Sequence, residues 1–277
     1  MRPRIVRAVI RLGARGVRPR RRRPPSAAAG PNAFEVFAFV TDRGQFDELQ
    51  RSFRAAGFDR FVELRDTETD PFAFISELGR RDGRAYAILT HQDVRIEHGL
   101  TAGRLLAELE RLPADWVVAG DAGGAPDLEL VRRLHDPYGG STAHPLPMRV
   151  VTLDENFLVF NNRYRPRCSP ELSGFHFYGT DVCLHAARDG GTAWVIDFPV
   201  THLSGGSKDA SYEAAKRRFL EVWQRRLAFA YLRAPTEILF VSRVPLLRRL
   251  FGSPQMLRRV DDVVPSLRLD TDEPECA

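Results

Sequence analysis

The chain has 277 residues, 43% of them hydrophobic, enough for one substantial core, and no apolar run reaches the roughly 18–20 residues that a bilayer span needs. Its net charge of +5 is unevenly held: ten of the 41 basic residues lie in residues 1–30 beside no acidic one, so the remaining 31 face 36 acidic residues and the body carries −5. The basic balance belongs to the tail, where arginines break every apolar stretch and no secretory signal is expected; Cys168, Cys183 and Cys276, without C-x-x-C spacing, are expected to be reduced thiols of a cytosolic protein.

Residues 1–30 stand apart as an Arg-rich tail and linker. Arg4, Arg7, Arg11, Arg15 and Arg18 recur at three- and four-residue steps, which on a helix would make one basic face. "RPRRRRPPSAAAG" then ends any helix and forms a linker. Such a segment is either a solvated tail or one that rests on an anionic membrane surface. Nucleic acid is the poorer fit, because no aromatic residue interleaves the arginines.

From Phe34 onward strand and helix alternate. "FEVFAFV" is a strand, and "QFDELQRSFRAAG" a helix with Phe46, Leu49 and Phe53 on one face and Gly57 as its stop. "RFVEL" is a second strand, and "PFAFISELGRR" a helix with Pro71 at its start. "AYAILT", "LTAGRLLAELERL" and "DWVVAG" continue as strand, helix and strand. The alternation predicts an α/β fold, a largely parallel sheet with helices on both faces. The third strand runs directly into His91-Gln92-Asp93. Ligands in open α/β sheets gather at the carboxyl ends of strands, so these polar residues are either functional or a turn capped by Asp93.

The second half is less regular. Residues 121–148 predict a long loop rich in Gly, Pro, Asp and His. "RVVTLDENFLVFNN" predicts one or two strands around a turn at Asp154-Glu155-Asn156. In "GFHFYGTDVCLHAARDGG" Thr180 is a helix cap that places Asp181 in the first turn. "TAWVIDFPV" is a strand that leads into a loop holding His202, residues 211–233 a long helix, and 236–260 an Arg-rich helical region. P-loop, dinucleotide-binding, zincin and nucleophile-elbow motifs are all missing, "GDAGGA" is only a weak glycine cluster, and the seven histidines show no zinc spacing.

Taken in order, "THQDV", "WVVAGDAGG", "VVTLDENFLVF", "GFHFYGTDVCLHA" and "VTHLSGGS" resemble the bacterial branch of family 2-like glycosyltransferases, across roughly residues 34–208. The resemblance implies a GT-A-like, Rossmann-type mixed sheet flanked by helices over 31–208, with a C-terminal helical extension over 209–277. It implies inverting transfer of a hexose from a nucleotide-diphosphate sugar to a glycan or lipid-linked acceptor, as in polysaccharide biosynthesis. The place would be the cytoplasm or the inner face of the membrane. Asp93 matches the carboxylate that holds Mn²⁺ or Mg²⁺ against the donor diphosphate, since hard cations prefer oxygen ligands. His202 would be a second metal ligand. Asp181 matches the base that takes the acceptor proton, and a helix N-terminus favours its ionised form. His91 and Gln92 would face the donor, Asp154 the acceptor, and His176 and Tyr178 a sugar face. A nucleotidyltransferase, or a glycosyltransferase-like binding module without turnover, are the alternatives.

Overall fold

The computed structural model describes residues 33–65, 67–80, 83–137, 139–205 and 208–269, and side chains up to residue 262. The basic segment 1–30 and Cys276 lie outside the described residues. Cys168 and Cys183 are buried free thiols.

The fold follows from strands that are apolar on both sides. In β1 (Phe34–Val40) the alternate residues Phe34, Val36 and Ala38 pack into one core, while Phe37 and Phe39 pack into the other. Two-sided burial is what a sheet covered by helices on both faces requires. After it come α1 (Arg43–Ala55), β2 (Phe61–Arg65), α2 (Pro71–Leu78), β3 (Tyr86–His91), β4 (Val94–Ile96), α3 (Ala102–Glu110) and β5 (Trp116–Gly120). The first core is closed by α1 and α3 through Phe46, Leu49, Phe53, Leu105 and Leu109; α2 closes the second through Phe72, Phe74 and Ile75. Each helix starts where a side chain satisfies free backbone N–H groups: Asp42 caps α1, Asp70 caps α2 ahead of Pro71, and Thr101 caps α3.

Within the stretch expected to be a loop lie β6 (Ala122–Gly124), β7 (Leu130–Arg132) and β8 (Leu134–His135). Then come β9 (Met148–Val150), β10 (Phe157–Asn161), α4 (Tyr178–Arg188), β11 (Thr192–Val195) and β12 (Val200–His202). The main sheet has the order β2-β1-β3-β10-β5-β11-β9. It is mixed, because β10 runs antiparallel to both β3 and β5, and β9 antiparallel to β11. A second sheet, β4-β12-β8, sets β12 antiparallel to β4 with His202 opposite Val94.

The rest of the chain is α5 (Ala210–Gln224), the hairpin β13 (Ala230–Arg233) and β14 (Ile238–Val241), α6 (Pro245–Phe251) and α7 (Pro254–Leu269). The helix expected to reach residue 233 therefore stops at Gln224. The alternating, aromatic- and β-branched-rich segments around Pro235 pair as strands instead, with the Ala234 N–H donating to the Glu237 carbonyl at the turn. Ala230, Leu232, Leu239 and Val241 of this hairpin join the same core as Phe219 and Trp223 of α5 and Val182 of α4.

Candidate functional site

At the carboxyl end of β3 the chain turns through Gln92 and Asp93 into β4, and the pairing of β4 with β12 brings His202 to Asp93. His202 Nε2 stands 3.4 Å from Asp93 Oδ1, and the Leu203 N–H donates to the Asp93 carbonyl at 3.1 Å. The rings of His91 and His202 are 5.6 Å apart. One ligand atom from each of His91, Asp93 and His202 can be chosen so that all lie within 4.8 Å of one another. His91, read as a donor contact, thus stands with the two residues predicted to hold the metal.

The electrostatics suit a cation. Burial opposes the Asp93 charge, but hydrogen bonding by His202 and Ser204 and the nearby imidazoles outweigh it and hold the carboxyl well below the usual range. Burial likewise opposes a charged His202, and Asp93 outweighs it, raising its pKa. His91 is pushed down to about 4 by burial and by the charge of His202, so near neutral pH it is an uncharged imidazole. The Tyr178 hydroxyl donates to the Glu155 carbonyl at 3.0 Å and stands 3.1 Å from His91 Nε2. With its single proton spent, the phenol accepts from His91, which places the imidazole proton on Nε2 and the lone pair on Nδ1. Two imidazoles and a carboxylate fit Mn²⁺ better than Mg²⁺, because imidazole is the softer donor.

These groups open into a cavity of about 850 Å³, within the range of small-molecule sites. Thr41, Gln92, Arg132, Asp154, Glu155 and Lys208 contribute its polar lining, and Phe39, Phe175, His176, Phe177 and Tyr212 its aromatic wall. Ala234, Pro235 and Thr236 close one side from the β13–β14 turn.

Several predicted residues are placed differently from their expected roles. Asp181 does not line this cavity. It is fully buried and accepts hydrogen bonds from the Ser169 N–H and Oγ and from Trp223 Nε1, at 2.6, 2.7 and 2.7 Å. Expected as the base, Asp181 thus lies behind the cavity wall, in a buried hydrogen-bond network and away from His91, Asp93 and His202. Thr180 is no cap either. The residue before α4 is Phe177, at φ 70° with no side-chain cap, and Glu155 Oε1 takes the Gly179 N–H at 3.3 Å. Tyr178 is wholly buried, edge-on to Phe72, and offers no face to a sugar. His176 does line the cavity, with its ring 5.3 Å from that of Tyr212. Gln92 lines it too, yet its carboxamide is engaged: Oε1 accepts from the Thr41 and Asp42 N–H groups, both at 2.8 Å, and Nε2 donates to Thr41 Oγ1 at 2.7 Å. It clips the β3–β4 turn to the start of α1. Asp154 also faces the cavity, with Oδ1 accepting the Glu155 N–H at 2.8 Å.

Sequence reasoning missed Glu155. A Cβ on Gly179 would stand 2.5 Å from the Leu153 carbonyl, and this close approach seats the turn 154–156 against the start of α4. Glu155 then sits at a helix N-terminus inside the cavity, and burial, reinforced by Asp154, raises its pKa well above the usual range. An acidic residue just before a strand, facing a glycine at a helix start, was the available signal. Asp121 was also missed: it is fully buried at the end of β5, neither oxygen has a side-chain hydrogen-bond partner, and burial with Asp154 nearby raises its pKa. The weak glycine cluster is a packing device, since a Cβ on Gly124 would collide with the Arg233 carbonyl of β13.

No family model matches the chain. It is 32% identical over 212 residues to the "ATP synthase subunits region ORF 6" protein of Fuscovulum blasticum, covering 69% of this chain and 84% of that one. The chain belongs to the family of that protein. Among solved structures it is similar to GalNAc-T7 with UDP, GalNAc and Mn²⁺, at TM-score 0.43 and 11% identity over 69% of this chain; it spans 42% of that protein's length. It is also similar to a Drosophila beta-1,4-galactosyltransferase 7 mutant in complex with manganese, UDP-Gal and xylobiose, at TM-score 0.39 and 12% identity, covering 66% of this chain and 79% of that one.

Proposed function

We propose that the protein is a glycosyltransferase that moves a sugar from a nucleotide-diphosphate sugar to an acceptor hydroxyl with inversion, using Mn²⁺ or Mg²⁺. The observation that carries this reading is the convergence of His91, Asp93 and His202 within 4.8 Å beside a cavity of about 850 Å³. The bound cation would neutralise the leaving diphosphate as a Lewis acid. The chain's own residues supply the rest. Tyr178 fixes the His91 tautomer, Gln92 holds the turn that presents Asp93, and Arg132 and Lys208 add positive charge to the lining. In one displacement the acceptor oxygen forms a bond to the anomeric carbon as the bond to the diphosphate oxygen breaks. The hydroxyl proton passes to a carboxylate, and Glu155 is the candidate, with Asp154 beside it. Burial, reinforced by Asp154, raises its proton affinity above that of an exposed carboxylate.

The test is calorimetric binding of nucleoside diphosphates with Mn²⁺ and with EDTA. Asp93→Ala should abolish the metal dependence and lower transfer by about 10²-fold or more, the several kcal/mol that a Lewis acid contributes. Equal affinity of the unmodified protein in EDTA would overturn the reading. Release of pyrophosphate from a nucleoside triphosphate and a sugar phosphate would identify a nucleotidyltransferase instead.

A further inference from the structure

Among the described residues four large hydrophobic side chains are exposed, and three of them, Val244, Leu246 and Leu250, fall within seven residues. They belong to α6 and the residue before it. This helix is anchored on its inner side by Phe251, whose ring lies 5.9 Å from that of Phe229 and 6.1 Å from that of Phe240 on β14. At 100° per residue, Pro245, Arg249, Leu246 and Leu250 fill one continuous outward arc, and all four are exposed. Leu246 is 63% and Leu250 52% exposed, so packing does not explain them. Single exposed leucines are ordinary on a surface; a cluster on one short helix is not.

Charge identifies the occupant. Residues 242–260 contain five arginines and no acidic residue, in a body of otherwise negative balance. Arg243 and Arg249 flank the leucines, and Arg258 and Arg259 are exposed on α7, which packs against α6. Beyond them Asp261 is paired with Arg233. Apolar tips set among arginines match the two layers of a lipid interface: acyl carbons below, phosphate above. No helix among the described residues is long and apolar enough to cross a membrane. We propose that the α6 face bearing Val244, Leu246 and Leu250 docks on an anionic phospholipid surface, with Leu246 and Leu250 inserted and the neighbouring arginines on the headgroups. This surface stands apart from the cavity and does not depend on the transferase reading.

The experiment uses the full chain, because residues 1–30 carry ten arginines that would also attract acidic vesicles. Co-sedimentation is measured with phosphatidylcholine vesicles and with vesicles containing about one third phosphatidylglycerol. The double variant L246S/L250S should bind the acidic vesicles at least about tenfold more weakly at unchanged melting temperature. In Leu250→Trp, the added fluorescence should be quenched by brominated acyl chains, and raising the salt should release the protein. Equal binding of the double variant and the parent would overturn the proposal by assigning the membrane contact to residues 1–30. So would failure of the parent to bind either vesicle. A dimer of the parent that becomes monomeric in L246S/L250S, with vesicle binding unaltered, would assign the face to a second copy instead.

Discussion

Two aspartates, Asp93 and Asp181, were both expected in the site, and they end in different surroundings. Asp93 follows a strand end, sits beside two imidazoles, and opens onto the cavity. Asp181 lies in the first turn of α4, where a helix dipole favours a carboxylate, and faces away from the cavity into a closed network. Its partners are the Ser169 hydroxyl and N–H and the Trp223 indole, with Arg226 bonded in turn to Ser169 at 2.6 Å and to Glu171 at 2.8 and 2.9 Å. That network joins α4, α5 and the segment before α4. A carboxylate at a helix start is therefore not by itself a site; the direction in which its side chain is presented decides what it meets.

The comparison is broken or sharpened by substitution. The largest effect is expected at Glu155, the carboxylate that replaces Asp181 as candidate base: Glu155→Gln should lower transfer by about 10²–10⁴-fold with little change in donor affinity. Single-turnover rates alongside donor titration check this, and unchanged turnover moves the role to Asp154. Asp181→Ala should leave three buried donors without their acceptor and lower stability by about 3–5 kcal/mol. Donor affinity of the folded fraction should not change. A urea unfolding curve measures the first and calorimetry the second; a stable but inactive variant would restore Asp181 to catalysis.

Smaller effects test the supporting residues. Tyr178→Phe removes the partner of His91 Nε2 and should weaken Mn²⁺ binding by about 10–100-fold, the usual effect of losing a group that orients a metal ligand. The smallest effect is expected at Asp189, which pairs with Arg167 at 2.8 Å on the surface. Burial opposes its charge, but Arg167 outweighs it and lowers its pKa. A carboxyl depressed in the folded state adds stability that is full above its unfolded pKa of about 4 and is lost as pH falls through the lower folded value. Asp189→Asn should therefore cost at most about 1 kcal/mol near neutral pH and nothing at strongly acid pH. Thermal melts at both pH values check the sign.

The apolar run Phe34–Val40, the helical spacing of Phe46, Leu49 and Phe53, and Pro71 at a helix start are local signals, and the elements they predict are present. Tertiary geometry was illegible. Nothing local tells that β10 inserts between β3 and β5 in the opposite sense, which is what brings Glu155 beside the end of β3. Likewise Thr180 looks like a cap, yet Gly179 allows α4 to begin earlier, against the Leu153 carbonyl. The hairpin at 230–241 was masked by a charged, helix-favouring run just before it, and its strands are fixed by pairing and by contact with β6.

The seating of that hairpin has a consequence for the order of events on the ribosome. The Arg233 carbonyl rests over Gly124 and accepts from Thr152 Oγ1, and the turn that follows forms one side of the cavity. His91, Asp93, Glu155 and His202 are all synthesised earlier. A nascent chain that has released every one of them still has a trough open to water where the pocket will be. Only when residues 230–241 clear the exit tunnel and close that side is the cavity formed, so it takes shape after all four of these residues have emerged rather than as each one does.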